Sequence, residues 1–170
     1  MEFEEYFRER RIALFRFAVV LTGDPALGDE LVADVLGTAY ERWAQVAAAD
    51  NVHAYVRRMV VNEYLGWRRR RTRTAPVADL TVVADPARDH GDAYGDQQEL
   101  LAELRQLPAK QRAAVVLRYY EGLSFAEIGA VLGSGENAVR SNISRALARL
   151  RIAMTDAGQP QPENAMEACP

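Results

Sequence analysis

Cysteine is almost missing from this chain: one residue, Cys169, stands beside the last of 170. A single thiol excludes an internal disulfide and any cysteine-built metal cluster. Histidine is nearly as scarce, and His53 and His90 lie too far apart for ligand spacing. No apolar run approaches the roughly 20 residues that cross a bilayer, and the acidic, amphipathic start MEFEEYFRERR is unlike a secretory leader. Carboxylates placed to hold a catalytic metal are sparse as well. Asp29, Glu30 and Asp34 come nearest, with no histidine or basic neighbour to serve as a base. Internal repeats are absent. From these absences we expect no metal, no cofactor, no small-molecule substrate, no membrane span, no catalysis, and a cytoplasmic location.

What is present is charge sorted along the chain. The formal net charge of −3 divides into +1 for residues 1–74, −4 for 75–98, +3 for 99–154 and −3 for 155–170. The acidity therefore belongs to a middle segment and a tail, while positive charge gathers at Arg68, Arg69, Arg70 and Arg71 and in the last periodic stretch. Distribution, more than the total, decides which partners a surface attracts.

Apolar periodicity places helices on both sides of the acidic segment. Phe7, Leu14, Ala18 and Leu21 form one helical stripe. Asp24-Pro25 reads as an N-cap followed by proline at the first helical position, where no hydrogen bond is lost. Leu27, Leu31, Val35, Ala39 and Trp43 then step by four. Asn51 can cap a third helix, with Tyr55, Val56, Met59 and Val60 inward and Arg57 and Arg58 outward, running into Trp67 and the arginine string.

Residues 75–98 lose the periodicity and gather proline, glycine and aspartate, the composition of a solvated linker. Leu100, Leu101, Leu104 and Leu107 restore it, and Pro108 restarts a helix carrying Val115, Val116, Leu117 and Tyr120. Ser124-Phe-Ala-Glu127 is a capping box ahead of Phe125, Ile128 and Leu132. Gly133-Ser134-Gly135 turns the chain into a longer helix with Val139, Ile143, Leu147 and Leu150 inside. The expected fold is all-α: a three-helix domain over 1–74, an acidic linker over 75–98, a second helical domain over 99–154, and a disordered acidic tail over 155–170.

A short capped helix, a glycine turn and a second helix with a polar, basic outer face make a helix-turn-helix. Glu136, Asn137, Arg140, Ser141, Ser144 and Arg145 lie opposite the apolar stripe of the second helix. Arginine can pair with guanine, asparagine with adenine, and glutamate can accept from cytosine. A merely solvated helix face would have a similar composition, so this pattern alone leaves both readings open.

The whole string LAELRQLPAKQRAAVVLRYYEGLSFAEIGAVLGSGENAVRSNISRALARLR resembles region 4 of the extracytoplasmic-function, group IV, RNA polymerase sigma factors. LTGDPALGDELVADVLGTAYERW and HAYVRRMVVNEYLGWRRRR resemble region 2 of the same family, in the expected order, and the stretch from Tyr55 to Arg71 looks most like the actinobacterial sigma-E branch. The resemblance covers roughly residues 3–154. It implies docking on the polymerase clamp coiled coil by Asp29, Glu30, Asp34, Arg42 and Trp43, with the flap as a second polymerase contact. It implies minus-10 recognition and melting by Arg57, Arg58, Asn62, Trp67, Arg68, Arg69, Arg70 and Arg71, and minus-35 recognition as duplex by Glu136, Asn137, Arg140, Ser141, Ser144 and Arg145. Core polymerase and promoter DNA are the implied partners, and an anti-sigma factor is admitted as a third.

The chain departs from the family pattern at four places. Ala33 stands where glutamine is frequent, Gly135 replaces a capping serine, Ala138 replaces a threonine, and Gly129 stands where alanine is common. The last should weaken its helix by up to about 1 kcal/mol. The linker suits two promoter elements, since 24 residues reach at most about 80 Å when extended. The rival readings are a stand-alone helix-turn-helix regulator, which would need a second regulatory or dimerisation surface, and a nucleic-acid enzyme, which would need a carboxylate cluster.

Overall fold

Three of the helices begin where a side chain supplies a cap. In the computed structural model, which describes residues 1–74 and 95–157, the first module holds α1 (Phe3–Thr22), α2 (Pro25–Glu41), the short α3 (Trp43–Ala47) and α4 (Val52–Thr74). Asp24 caps α2, its Oδ1 accepting from the amides of Ala26 at 2.7 Å and Leu27 at 3.1 Å, with Pro25 opening the helix. Asn51 does the same for α4 through the Ala54 amide at 2.9 Å. Gly23 ends α1 in the left-handed region, at φ 75°, with its amide bonded to the Val19 carbonyl. Its missing side chain leaves room for Arg105 and Leu101 of the second module.

That second module comprises α5 (Gly95–Gln106), α6 (Ala109–Val115), a wider π-type turn (Val116–Tyr120), α7 (Phe125–Leu132) and α8 (Glu136–Ala157). The capping box at α7 is complete: the Ser124 amide donates to Glu127 Oε2 at 2.7 Å, and the Glu127 amide to Ser124 Oγ at 3.2 Å. No strand occurs among the described residues. The linker and tail expectations fall mostly outside those residues. Where they overlap, α5 already begins at Gly95 and α8 runs to Ala157, so both boundaries are helical rather than irregular.

Burial corrects several inward assignments. Tyr6, not Phe7, opens the buried stripe of α1. Tyr55 and Leu100 face outward, and Trp43 begins a new helix after a break at Arg42. Tyr120 is 47% exposed because the π-type turn adds a residue and rotates the following side chains out of phase. The buried apolar residues otherwise follow the helical period: Leu31, Val32, Val35, Leu36 and Ala39 in α2, Val56, Val60, Val61 and Tyr64 in α4, Val139, Ile143 and Ala146 in α8.

The two modules are packed on each other, and one apolar core runs through both. Arg112 of α6, only 2% exposed, donates through Nη1 to the carbonyls of Leu21 at 3.2 Å and Thr22 at 2.9 Å. These are end-of-helix carbonyls of α1, which lack intrahelical donors and favour a cation. Burial pulls the Arg112 guanidinium down to about 10, still well above neutral pH, so it stays charged. Arg57 of α4 pairs with Glu121, and the Phe17 and Tyr120 rings stack with centroids 6.3 Å apart.

Gly129 has a different role from the one its helix propensity suggests. A Cβ there would lie 2.5 Å from the Ser134 backbone oxygen, because the turn folds back over α7 and the Ser134 amide bonds to the Gly129 carbonyl at 3.0 Å. Gly129→Ala should therefore destabilise the protein by about 1–3 kcal/mol through overpacking, despite alanine's helix gain of up to about 1 kcal/mol. Urea unfolding measures the sign, and a stabilised variant would show that the turn can give way.

Candidate nucleic-acid interface

α8 presents its polar residues on one exposed surface. Glu136, Asn137, Arg140, Ser141, Ser144 and Arg145 are all exposed, while Val139, Ile143 and Ala146 anchor the opposite side to α6 and α7. At about 100° per residue, Asn137, Ser141 and Ser144 centre this face and Arg140 lies on the flank beside α7. There the Arg140 guanidinium carbon sits 4.1 Å from the centroid of the Phe125 ring. Glu136, one turn earlier, is 3.8 Å from the same guanidinium. The Glu127 carboxyl is held below the usual range by the Ser124 amide and hydroxyl, which keeps the capping box charged and α7 fixed.

On α4 the expected residues divide between three directions. Arg58, Asn62 and Arg69 share the outer face, at steps of four and seven. Arg57 and Arg68 lie on the stripe of Val61 and Tyr64, turned toward the second module, and both are partly buried. Arg57 is held there by Glu121. Trp67 turns toward α2, lining a small cleft with Leu27, Glu30, Leu31, Asp34 and Glu63, and Arg71 lies against its ring at 4.6 Å. Arg70 bonds Glu63 at 2.6 Å. The structure thus gathers Arg58, Asn62 and Arg69, and adds Tyr55, which shares their face and is 37% exposed. The spacing of Tyr55, three before Arg58 and seven before Asn62, was the signal that could have revealed it.

Asp29, Glu30, Asp34 and Arg42 are all exposed on the α2 side of the first module. Trp43 is not on that open face. Its indole N–H donates to the Met1 carbonyl at 3.0 Å and its ring meets Phe3 edge-on at 5.3 Å, so it ties the start of α1 to α3. Behind this cluster the Tyr6 hydroxyl and His53 Nδ1 are 3.1 Å apart. Burial, then the charge of Arg57, pushes the His53 imidazole below its ordinary value, and burial drives the Tyr6 hydroxyl up to about 12. Both are neutral near pH 7, as a buried site beside arginines requires. Among the described residues no helix is long and apolar enough to cross a membrane, and no group of three acids, histidines or cysteines could hold a metal.

Comparison with known proteins bears on these surfaces. Residues 97–150 match the family model described as Sigma-70, region 4. The RNA polymerase sigma-E factor of Streptomyces coelicolor is 38% identical over 152 residues, covering 89% of this chain and 85% of that protein. The ECF RNA polymerase sigma factor SigM of Mycobacterium tuberculosis is 32% identical over 150 residues, covering 87% of this chain and 74% of SigM. Among solved structures, the sigma factor RpoE of Bartonella quintana, crystallised with the anti-sigma factor NepR, superposes with a TM-score of 0.73 at 26% identity, over 90% of this chain and 96% of RpoE.

Proposed function

Since the chain belongs to the extracytoplasmic-function sigma factors of RNA polymerase, we propose that it binds core polymerase and directs initiation by reading a minus-35 duplex with α8 and opening a minus-10 element with α4. The observation that carries this reading is the exposed face of α8, with base-pairing side chains on one side and a buried apolar anchor on the other. Phosphate contacts fix register while base-edge contacts carry sequence information. Arg140 and Arg145 supply the guanine-type contacts, with Glu136, Asn137, Ser141 and Ser144 around them.

Strand opening exposes bases that need an aromatic platform or a pocket. Tyr55 and Asn62 on the outer face of α4 supply these, Arg58 and Arg69 flank them on phosphates, and Trp67 shapes the helix from behind. Arg57 and Arg68 join once the second module moves away, because both now face it. Asp29, Glu30, Asp34 and Arg42 form the clamp-docking surface, which Trp43 supports by packing. The flap is the second polymerase contact in the same reading. The protein works in the cytoplasm without catalysing a reaction, and the likeness to RpoE in its complex favours an anti-sigma factor as a further partner.

Transcription with purified core polymerase is the test. Initiation should depend on this chain, and the double variant Arg140→Ala, Arg145→Ala should lose promoter affinity by roughly 1–3 kcal/mol for each bidentate contact. Promoter-independent polymerase output in the presence of the chain would overturn the reading. Regulation of a promoter already served by another sigma factor would favour a stand-alone helix-turn-helix regulator.

A further inference from the structure

We propose that Phe125 is a positioning residue for minus-35 recognition, its ring holding the Arg140 guanidinium in the orientation that a base contact requires. This rests on the reading of α8 given above and adds to it a residue outside the recognition helix.

Phe125 occupies the first position of α7, directly after Ser124. The capping box fixes where that helix starts, and the half-buried ring packs against the shared apolar core. Its location is therefore set by the fold and not by its neighbours on the surface. Two guanidiniums approach it. Arg118 lies 4.6 Å from the ring centroid and is anchored separately, since its Nη1 donates to the Leu123 carbonyl at 2.8 Å. Arg140 lies closer, at 4.1 Å, and comes from the other helix of the motif. Its carboxylate neighbour Glu136 forms an ion pair at 3.8 Å, beyond hydrogen-bond length, which attracts the charge without fixing the plane of the fork as a ring face does.

An arginine has several rotatable bonds, and pairing both acceptors of a guanine edge requires one orientation of its planar fork. A guanidinium resting on an aromatic face uses that face for the contact and keeps its N–H edge for hydrogen bonding. The Arg140 side chain is 56% exposed, so the edge away from the ring is open to a groove. Phe125 thus removes conformational freedom from Arg140 before DNA arrives, which is how preorganisation raises affinity and sharpens discrimination. Arg118, already tied to the Leu123 carbonyl, gains little from the ring, so the consequence falls on Arg140.

A double-mutant cycle in holoenzyme reconstituted with core RNA polymerase tests this, using a promoter duplex selected by that holoenzyme and its set of single base-pair changes across minus-35. Phe125→Leu keeps an apolar side chain at the helix start but removes the aromatic face. We expect a roughly two- to five-fold loss of affinity for the preferred duplex, the size of one exposed cation–π contact. Discrimination should fall at the base pair that Arg140→Ala identifies and nowhere else, and Phe125→Tyr should restore both. In the Arg140→Ala background, Phe125→Leu should change nothing further. An equal loss in both backgrounds would make Phe125 a structural residue, and no loss in either would make the contact idle. If Arg140→Ala alone leaves affinity and sequence preference unchanged, the reading of α8 itself fails and the positioning role falls with it.

Discussion

Replacing Arg112 by alanine is expected to part the two helical modules. The side chain is buried between them and supplies donors to the Leu21 and Thr22 carbonyls at the end of α1. Buried carbonyls left without donors cost about 1–3 kcal/mol each, and removing a desolvated cation returns part of that loss. A net loss of roughly 2–4 kcal/mol follows, enough to lower the thermal midpoint by about 5–15 °C for a chain of this size. The secondary structure itself should survive, because the caps at Asp24, Asn51 and Ser124 are all local to their own module. X-ray scattering of Arg112→Ala should give a larger radius of gyration at unchanged helical circular dichroism. An unchanged radius with a lowered midpoint would instead place Arg112 within the stability of one module. Arg112→Lys should fall between, since a single ammonium is a poorer match to two carbonyls than a planar fork.

This packing matters for the proposed function. Two promoter elements roughly 25 base pairs apart span about 85 Å at 3.4 Å per pair, a separation that two modules in contact cannot match. Engaging both elements requires the contact around Arg112 to open, and opening also releases Arg57 from Glu121. On the proposed function, the stability of the closed arrangement is subtracted from promoter affinity, in the sense that a binding-competent form populated only in part binds more weakly in proportion.

The features legible in the sequence were those whose cause is local. Asp24-Pro25 and Ser124 with Glu127 declare helix starts because cap and capped amide lie within three residues. The stripe of Val139, Ile143, Leu147 and Leu150 declares which side of α8 packs inward, and with it the exposed polar face opposite. What escaped depends on distant neighbours. Arg112 follows Lys110 and Gln111 like one more solvated polar residue, and nothing near it in sequence says that it meets the end of a helix some ninety residues earlier. Tyr55 joins an apolar stripe by spacing alone, yet Val56, Val60 and Val61 already fill the inner side of α4 and turn it outward. Gly129 looks like a weak helix residue until the turn at Ser134 is seen folding back on it. Arg57 belongs to the basic face by composition, and only the position of Glu121 in the other module shows that it is engaged.

Glutamine at all four of Arg68, Arg69, Arg70 and Arg71 should cause the largest loss of DNA binding of any change to the first module. Each phosphate contact releases condensed counterions, contributing about 0.9 to the slope of log affinity against log salt on duplex and about 0.7 on single strands. The four arginines are not equivalent. Arg69 is exposed on the outer face, Arg71 rests on Trp67, Arg70 bonds Glu63, and Arg68 is partly buried toward the second module. Two to three effective contacts are the appropriate count, so the slope should fall by about 1.4–2.7 and affinity near 0.1 M salt by roughly a hundred-fold. The loss should be the same for every promoter, because phosphates carry no sequence information. Filter binding of the holoenzyme to two unrelated promoters across a salt series reads both quantities. Arg69→Gln alone should remove close to one full contact, whereas Arg70→Gln should remove less, since its guanidinium already has the Glu63 carboxylate. A loss confined to one promoter would assign the run to base recognition, and an unchanged slope would leave it as the solvated end of α4.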